Sequence, residues 1–233
     1  MKHYKSVVAF LVALLSITEL NAQSNANTLL QAVYNKSQKA KDYSVEAHIK
    51  VDMPFIRMLP ANVKIYYKQK DKFKVESEGI ALVPRQGFDQ SSKILADPNS
   101  FTAIIQGEEK IGMIQSTIVN VIPLSDTSDM VLGKFWIDPL QHVIIKSQIS
   151  SRSNGTIVTE YVYGKEINYG LPDEMIFSVD VKKFKPPKGV MAEPDKNAEA
   201  KENKGNENKK GKIYITLSNY QVNKGIPDDI FKK

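Results

Sequence analysis

The sequence predicts a mostly antiparallel β fold of the α+β class, about ten strands strongly curved around one N-terminal helix, and two observations lead there. Tyr43, Val45, Ala47, Ile49, Val51 and Met53 alternate with Ser44, Glu46, His48, Lys50 and Asp52, which is the period-two pattern of a half-buried strand. Nine further stretches of that kind follow, joined by short turn signals, so that successive strands pair as a meander.

The helix comes first. Asn27 can cap a helix running to about Ala40, with Leu29, Leu30, Val33 and Tyr34 as an apolar stripe at helical spacing. After the opening strand, strands are expected at Val63–Lys68, Lys72–Glu78, Phe101–Gln106, Ile111–Ile122, Gly133–Asp138, His142–Ser151, Thr156–Gly164, Ile176–Phe184 and Lys212–Val222. Asp138-Pro139-Leu140-Gln141 marks one turn, and Asn154-Gly155 is the strongest hairpin signal in the chain. Ala81 to Ser100 reads as a long excursion.

Magnitudes indicate what such a sheet must do. Ten strands at ~4.8 Å spacing span about 48 Å, whereas a 14-residue helix is roughly 21 Å long and about 10 Å across. One helix cannot cover that face, and each exposed large aliphatic side chain forfeits about 1.5–3 kcal/mol. The sheet is therefore expected to curl on itself and to leave a concave apolar cavity, unless side chains fill the interior.

The segments outside this core are of two kinds. Residues 1–22 have the form of a secretory leader: Lys2 and Lys5 precede an apolar run from Val7 to Ile17, and Asn21-Ala22-Gln23 offers a small residue at the cut. Its removal takes the formal charge from +6 to +5. The expected mature unit is one domain, residues 23–233, soluble and located in the periplasm. Without cysteine it has neither a lipid-modified Cys nor a disulfide. Residues 185–212 hold eight Lys, five acidic residues and three Pro, with almost no large apolar side chain, and read as a disordered insertion. Interleaved acids and missing aromatics argue against nucleic acid as a partner.

Enzymatic chemistry finds little support. His48 and His142 both fall on polar sides of strand patterns, there is no Cys nucleophile or Gly-x-Ser-x-Gly, and no His/Asp/Glu spacing suits zinc. No catalytic residue, metal or cofactor is expected.

A phrase recurs near the end: Asn168-Tyr169-Gly170-Leu171-Pro172-Asp173-Glu174-Met175-Ile176-Phe177, then Asn223-Lys224-Gly225-Ile226-Pro227-Asp228-Asp229-Ile230-Phe231. Each copy reads as a strand stop whose terminal Phe returns to the interior. Together with Val63–Phe73, Lys134-Phe135-Trp136-Ile137-Asp138 and the strand Tyr43–Met53, these phrases resemble the LolA-like outer-membrane lipoprotein-sorting proteins. The resemblance spans nearly all of the mature chain. It implies an unclosed β-barrel with helices and loops over its concave apolar side, binding the acyl chains of lipoproteins or another lipid. It further implies an inner-membrane donor complex and an outer-membrane acceptor, and a monomeric carrier between them. The alternative is a non-enzymatic lipid-sensing or interaction module of the cell envelope with the same fold, and a third reading is a structural envelope protein with a filled barrel.

Either cargo contact or core filling is expected from Ile49, Met53, Phe55, Met58, Leu59 and Leu82, which lie along the first strand, at its end and in loops where covering structure is scarce. Trp136, the sole Trp, either lines the cavity mouth or fills space between strand and helix. Arg57 is the counterpart that the resemblance suggests for a basic residue holding a lid shut.

Overall fold

The computed structural model describes residues 25–53, 58–70, 72–77, 95–153, 155–180 and 210–232. The leader, Phe55, Arg57, Leu82 and residues 181–209 of the tail and insertion lie outside them. One helix, α1 (residues 25–37), precedes ten strands. These are β1 (Asp42–Asp52), β2 (Ala61–Lys68), β3 (Lys72–Ser77), β4 (Phe101–Ile111), β5 (Ile114–Pro123), β6 (Met130–Asp138), β7 (Val143–Ser151), β8 (Gly155–Tyr163), β9 (Pro172–Asp180) and β10 (Lys210–Val222). They form a single sheet in the order β3-β2-β1-β10-β9-β8-β7-β6-β5-β4, open and curled, and every adjacent pair is antiparallel. All pairs but one are neighbours in sequence. The exception is β1 with β10, where Tyr43 lies opposite Val222.

Alternation puts one face of the sheet inward, and that face carries two apolar clusters. The first joins β1, β2, β8, β9 and β10 through Val45, Ile49, Ile65, Phe177, Ile213 and Ile215. The second joins α1 to β4, β5, β6 and β7: Ala26, Leu30 and Val33, one turn apart along the helix, meet Phe101, Val119, Val121, Phe135 and Ile137. Tyr161 packs against both.

Several boundaries differ from expectation for identifiable reasons. The hairpin expected just after Gln106 turns later. Gly107, at φ 144, is accommodated by an irregularity in the ladder, and pairing continues to Ile111 opposite Ile114. The turn itself is Gly112-Met113, with Gly112 at φ 60, as a two-residue loop requires. α1 ends at residue 37, since Ala40 is already in the linker to β1. Lys210 and Gly211, assigned by sequence to the insertion, belong to β10 and pair with β9.

The repeated phrase has two outcomes. In the first copy Gly170, at φ 68, ends the 3-10 turn Lys165–Tyr169, and Pro172 then opens β9, so the phrase starts a strand. Phe177 is fully buried there. In the second, Ile226 is the buried anchor and Phe231 stays half-buried at the end of the 3-10 turn Asp228–Phe231. Neither copy stops a strand by burying its Phe at once.

Candidate functional site: a tyrosine-lined cleft

Because every neighbouring pair is antiparallel, alternate connections gather at one end of the sheet. The turns at residues 69–70, 112–113 and 139–142, the 164–171 connection, the α1–β1 link and the tail after β10 define an upper end. The β1–β2 connection and the turns at 124–129 and 152–154 lie at the lower end.

A cleft of about 120 Å³ opens at the upper end. Its walls come from α1 and its linker (Val33, Ser37, Gln38, Ala40), from the β6–β7 turn (His142, Val143), and from Gly170, Leu171 and Met175. Seven of the ten tyrosines line it: Tyr34, Tyr43, Tyr67, Tyr161, Tyr163, Tyr169 and Tyr220. Several are tied down by their hydroxyls. Tyr163 donates to Ile144 O at 2.8 Å and Tyr220 to Pro172 O at 2.8 Å, and the Tyr161 and Ser147 hydroxyls lie 3.3 Å apart. Burial pushes all three phenols above their ordinary pKa, so they stay neutral. Tyr43 stacks on Tyr67 at 5.1 Å and meets Tyr220 edge-on at 5.9 Å. The result is an apolar aromatic wall whose size matches a single small ring or branched alkyl group, not a whole acyl chain.

Polar contacts anchor the helix above this cleft. Lys36 Nζ donates to Gln141 O in the β6–β7 turn at 2.5 Å. Desolvation, then the neighbouring Lys39, lowers the Lys36 pKa, with Asp138 acting in the opposite sense. Gln69 Nε2 donates to Gln38 O at 2.9 Å, and Asn223 bridges the α1–β1 link by accepting from Lys41 N and donating to Lys39 O. The C-terminal turn is held by Asp228, whose carboxylate meets Lys68 at 2.7 Å and Lys72 at 2.8 Å. Those two hydrogen bonds hold its carboxyl at about 2.

Those residues singled out by sequence that fall among the described ones lie elsewhere. Ile49, 2% exposed, and Met53 are buried in the first cluster toward the lower end, and Met58 packs against it. Leu59 is 89% exposed in the β1–β2 connection. Trp136 lies between Phe135 and Ile137, which face the helix, and packs instead with Ile118, Val143 and Ile145. Its Nε1 donates to Glu109 Oε2 at 2.7 Å, and the Lys134 and Lys146 ammonium groups sit 4.8 and 4.7 Å from its ring. It is 4% exposed and lines no part of the cleft.

The tyrosines were overlooked by sequence reasoning, although a signal existed. Tyr43, Tyr67, Tyr161, Tyr163 and Tyr220 all fall near strand termini that an antiparallel meander brings to one end. Among the described residues no group of three His, Cys, Asp or Glu could hold a metal ion, and no helix is long and apolar enough to cross a membrane.

An open, curled antiparallel sheet with a helix packed on its inner face is the fold of LolA-superfamily structures. Three solved structures match it over nearly their whole length. A Vibrio parahaemolyticus domain, described provisionally as outer membrane lipoprotein-sorting, superposes with a TM-score of 0.60 at 9% identity, covering 90% of this chain and 97% of that one. A DUF1329 family protein from Desulfovibrio piger gives 0.56 at 12% identity, covering 91% and 97%. A LolA superfamily protein from Nitrosomonas europaea gives 0.55 at 10% identity, covering 89% and 97%. No protein-family profile and no curated protein matches the chain. At these identities the likeness establishes the fold.

Proposed function

We propose that the protein is a non-enzymatic periplasmic carrier, which takes the acyl chains of lipoproteins or another lipid under α1 and moves them toward the outer membrane. One observation supports this above the rest: α1 closes the inner face through Ala26, Leu30 and Val33, yet takes no part in the strand ladder. The helix can swing away without breaking a sheet hydrogen bond. An acyl chain then replaces the helix against Phe135, Val119 and Val121, exchanging one apolar contact for another. The cleft of about 120 Å³ marks where the interior first opens, and full uptake requires the helix to move. The fold likeness to a lipoprotein-sorting domain and the leader-like residues 1–22 point the same way.

Mass spectrometry of the organic extract from natively purified protein tests the reading, followed by transfer of the bound lipid to acceptor vesicles. Co-purified lipid that transfers supports a carrier. Lipid that stays bound supports a sensor, and a lipid-free protein that takes up no acyl probe removes both.

A further inference from the structure

Hairpin turns are ordinarily polar, because their side chains remain in water. The β4–β5 tip departs from this: Ile111-Gly112-Met113-Ile114 carries no polar side chain, and Met113 is 97% exposed. The β6–β7 turn raises Leu140, 87% exposed, at the same upper end. Two strand spacings separate the tips, about 10 Å. Single exposed aliphatic residues are unremarkable, but two on adjacent protrusions beside a cavity mouth form a footprint suited to a flat apolar phase.

Charges of both signs surround the tips. The nearest acids accept from neighbouring donors without losing their charge, and Glu108 and Glu109 stay exposed. Glu109 accepts from Trp136, Glu108 from Gln115 at 2.9 Å, and Asp138 Oδ1 from Leu140 N and Gln141 N. Asp228 is neutralised by Lys68 and Lys72. Lys39, Lys110 and Lys165, also at this end, enter no ion pair among the described residues. Three exposed, unpaired lysines thus accompany the apolar tips, alongside these acids.

We propose that the upper end docks on a lipid bilayer bearing anionic headgroups, with Met113 and Leu140 entering the interface and Lys39, Lys110 and Lys165 at headgroup level. Docking in this orientation presents the tyrosine-lined cleft, bounded by His142 beside the Leu140 turn, to the bilayer. The geometry stands whether or not the cleft admits an acyl chain, so the inference is separable from the carrier reading.

The cysteine-free sequence allows a direct test. Single variants Met113→Cys, Leu140→Cys and, at the lower end, Leu59→Cys carry an environment-sensitive dye and are mixed with vesicles of phosphatidylethanolamine and phosphatidylglycerol. A blue shift at 113 and 140 with none at 59 is expected. Silent probes at 113 and 140, or an equal shift at 59, overturn the proposal. The double variant Met113→Ser/Leu140→Ser should bind these vesicles at least tenfold more weakly while taking up a fluorescent fatty acid as the parent does. Unchanged vesicle binding in that variant overturns the role of the tips. Equal binding to phosphatidylethanolamine vesicles alone overturns the selection for anionic headgroups.

Discussion

Leu30→Ala distinguishes a movable cover from a fixed part of the core. Leu30 is buried in the cluster that α1 shares with β4 to β7, and the substitution removes three carbons from that contact. At about 0.8 kcal/mol per buried carbon the closed position of the helix loses about 2.4 kcal/mol. If α1 opens while the sheet stays folded, the whole loss falls on the closing equilibrium, a factor of about 60. Amide exchange in residues 25–37 should then accelerate by a comparable factor, while amides of β9 and β10 keep their protection. Affinity for a fluorescent fatty acid should rise, since a larger fraction of molecules is competent to bind. If α1 were an inseparable core element, the cost would instead be about 2–5 kcal/mol of global stability, and helix and sheet amides would accelerate together. That pattern, or faster helix exchange without tighter uptake, refutes the reasoning.

Ile49→Asp should fail to fold, because Ile49 is buried among the β1 and β10 side chains and an unpaired carboxylate there is costly; circular dichroism decides it. Phe55→Asp, by contrast, is expected to keep the folded spectrum and lose acyl-probe uptake, and full uptake by a folded variant removes Phe55 from the cargo path. For Asp228→Asn a pH series is informative. The native carboxyl is lowered from 3.8 to about 2, so its contribution is complete above the ordinary value and fades as pH falls toward 2. The gap in melting temperature between parent and variant should therefore be constant from about pH 8 to 5, shrink below that and close by about pH 1; a gap that does not shrink between about pH 5 and 1 contradicts the two lysine contacts. Cargo uptake should leave the emission of the sole tryptophan unaltered, because Trp136 lies away from the cleft, and a shifted spectrum would place it in contact with lipid.

The strand pattern was legible wherever one face is buried and the other wet. Tyr43 through Val51 alternate without interruption, so β1 was read to within a residue of each end. The expected strand ends at Gln106, before Gly107, and only the partner strand shows that pairing continues past the glycine. Trp136 posed another difficulty. Its two flanking apolar residues face the helix, and nothing local says that Glu109, far away in sequence, supplies a partner for the indole on the other side. The cleft was harder to read, since its tyrosines come from six separate segments and only their places near strand ends hint that the completed topology assembles them.

The seam between β1 and β10 has a consequence for how the chain acquires its structure. Each other pairing can form between neighbours as they appear, but β1 is flanked by β2 on one side and by the last strand on the other. A chain that emerges from its N-terminus first must hold Val45, Ala47 and Ile49 half-sheltered until Ile213, Ile215 and Leu217 arrive. Such long-range closure is slow relative to hairpin formation. The final thirteen-residue strand therefore acts as a timer: until it docks, the first cluster stays unfinished, and loss of the C-terminal strand leaves a meander with an open apolar edge where the middle of the sheet should be.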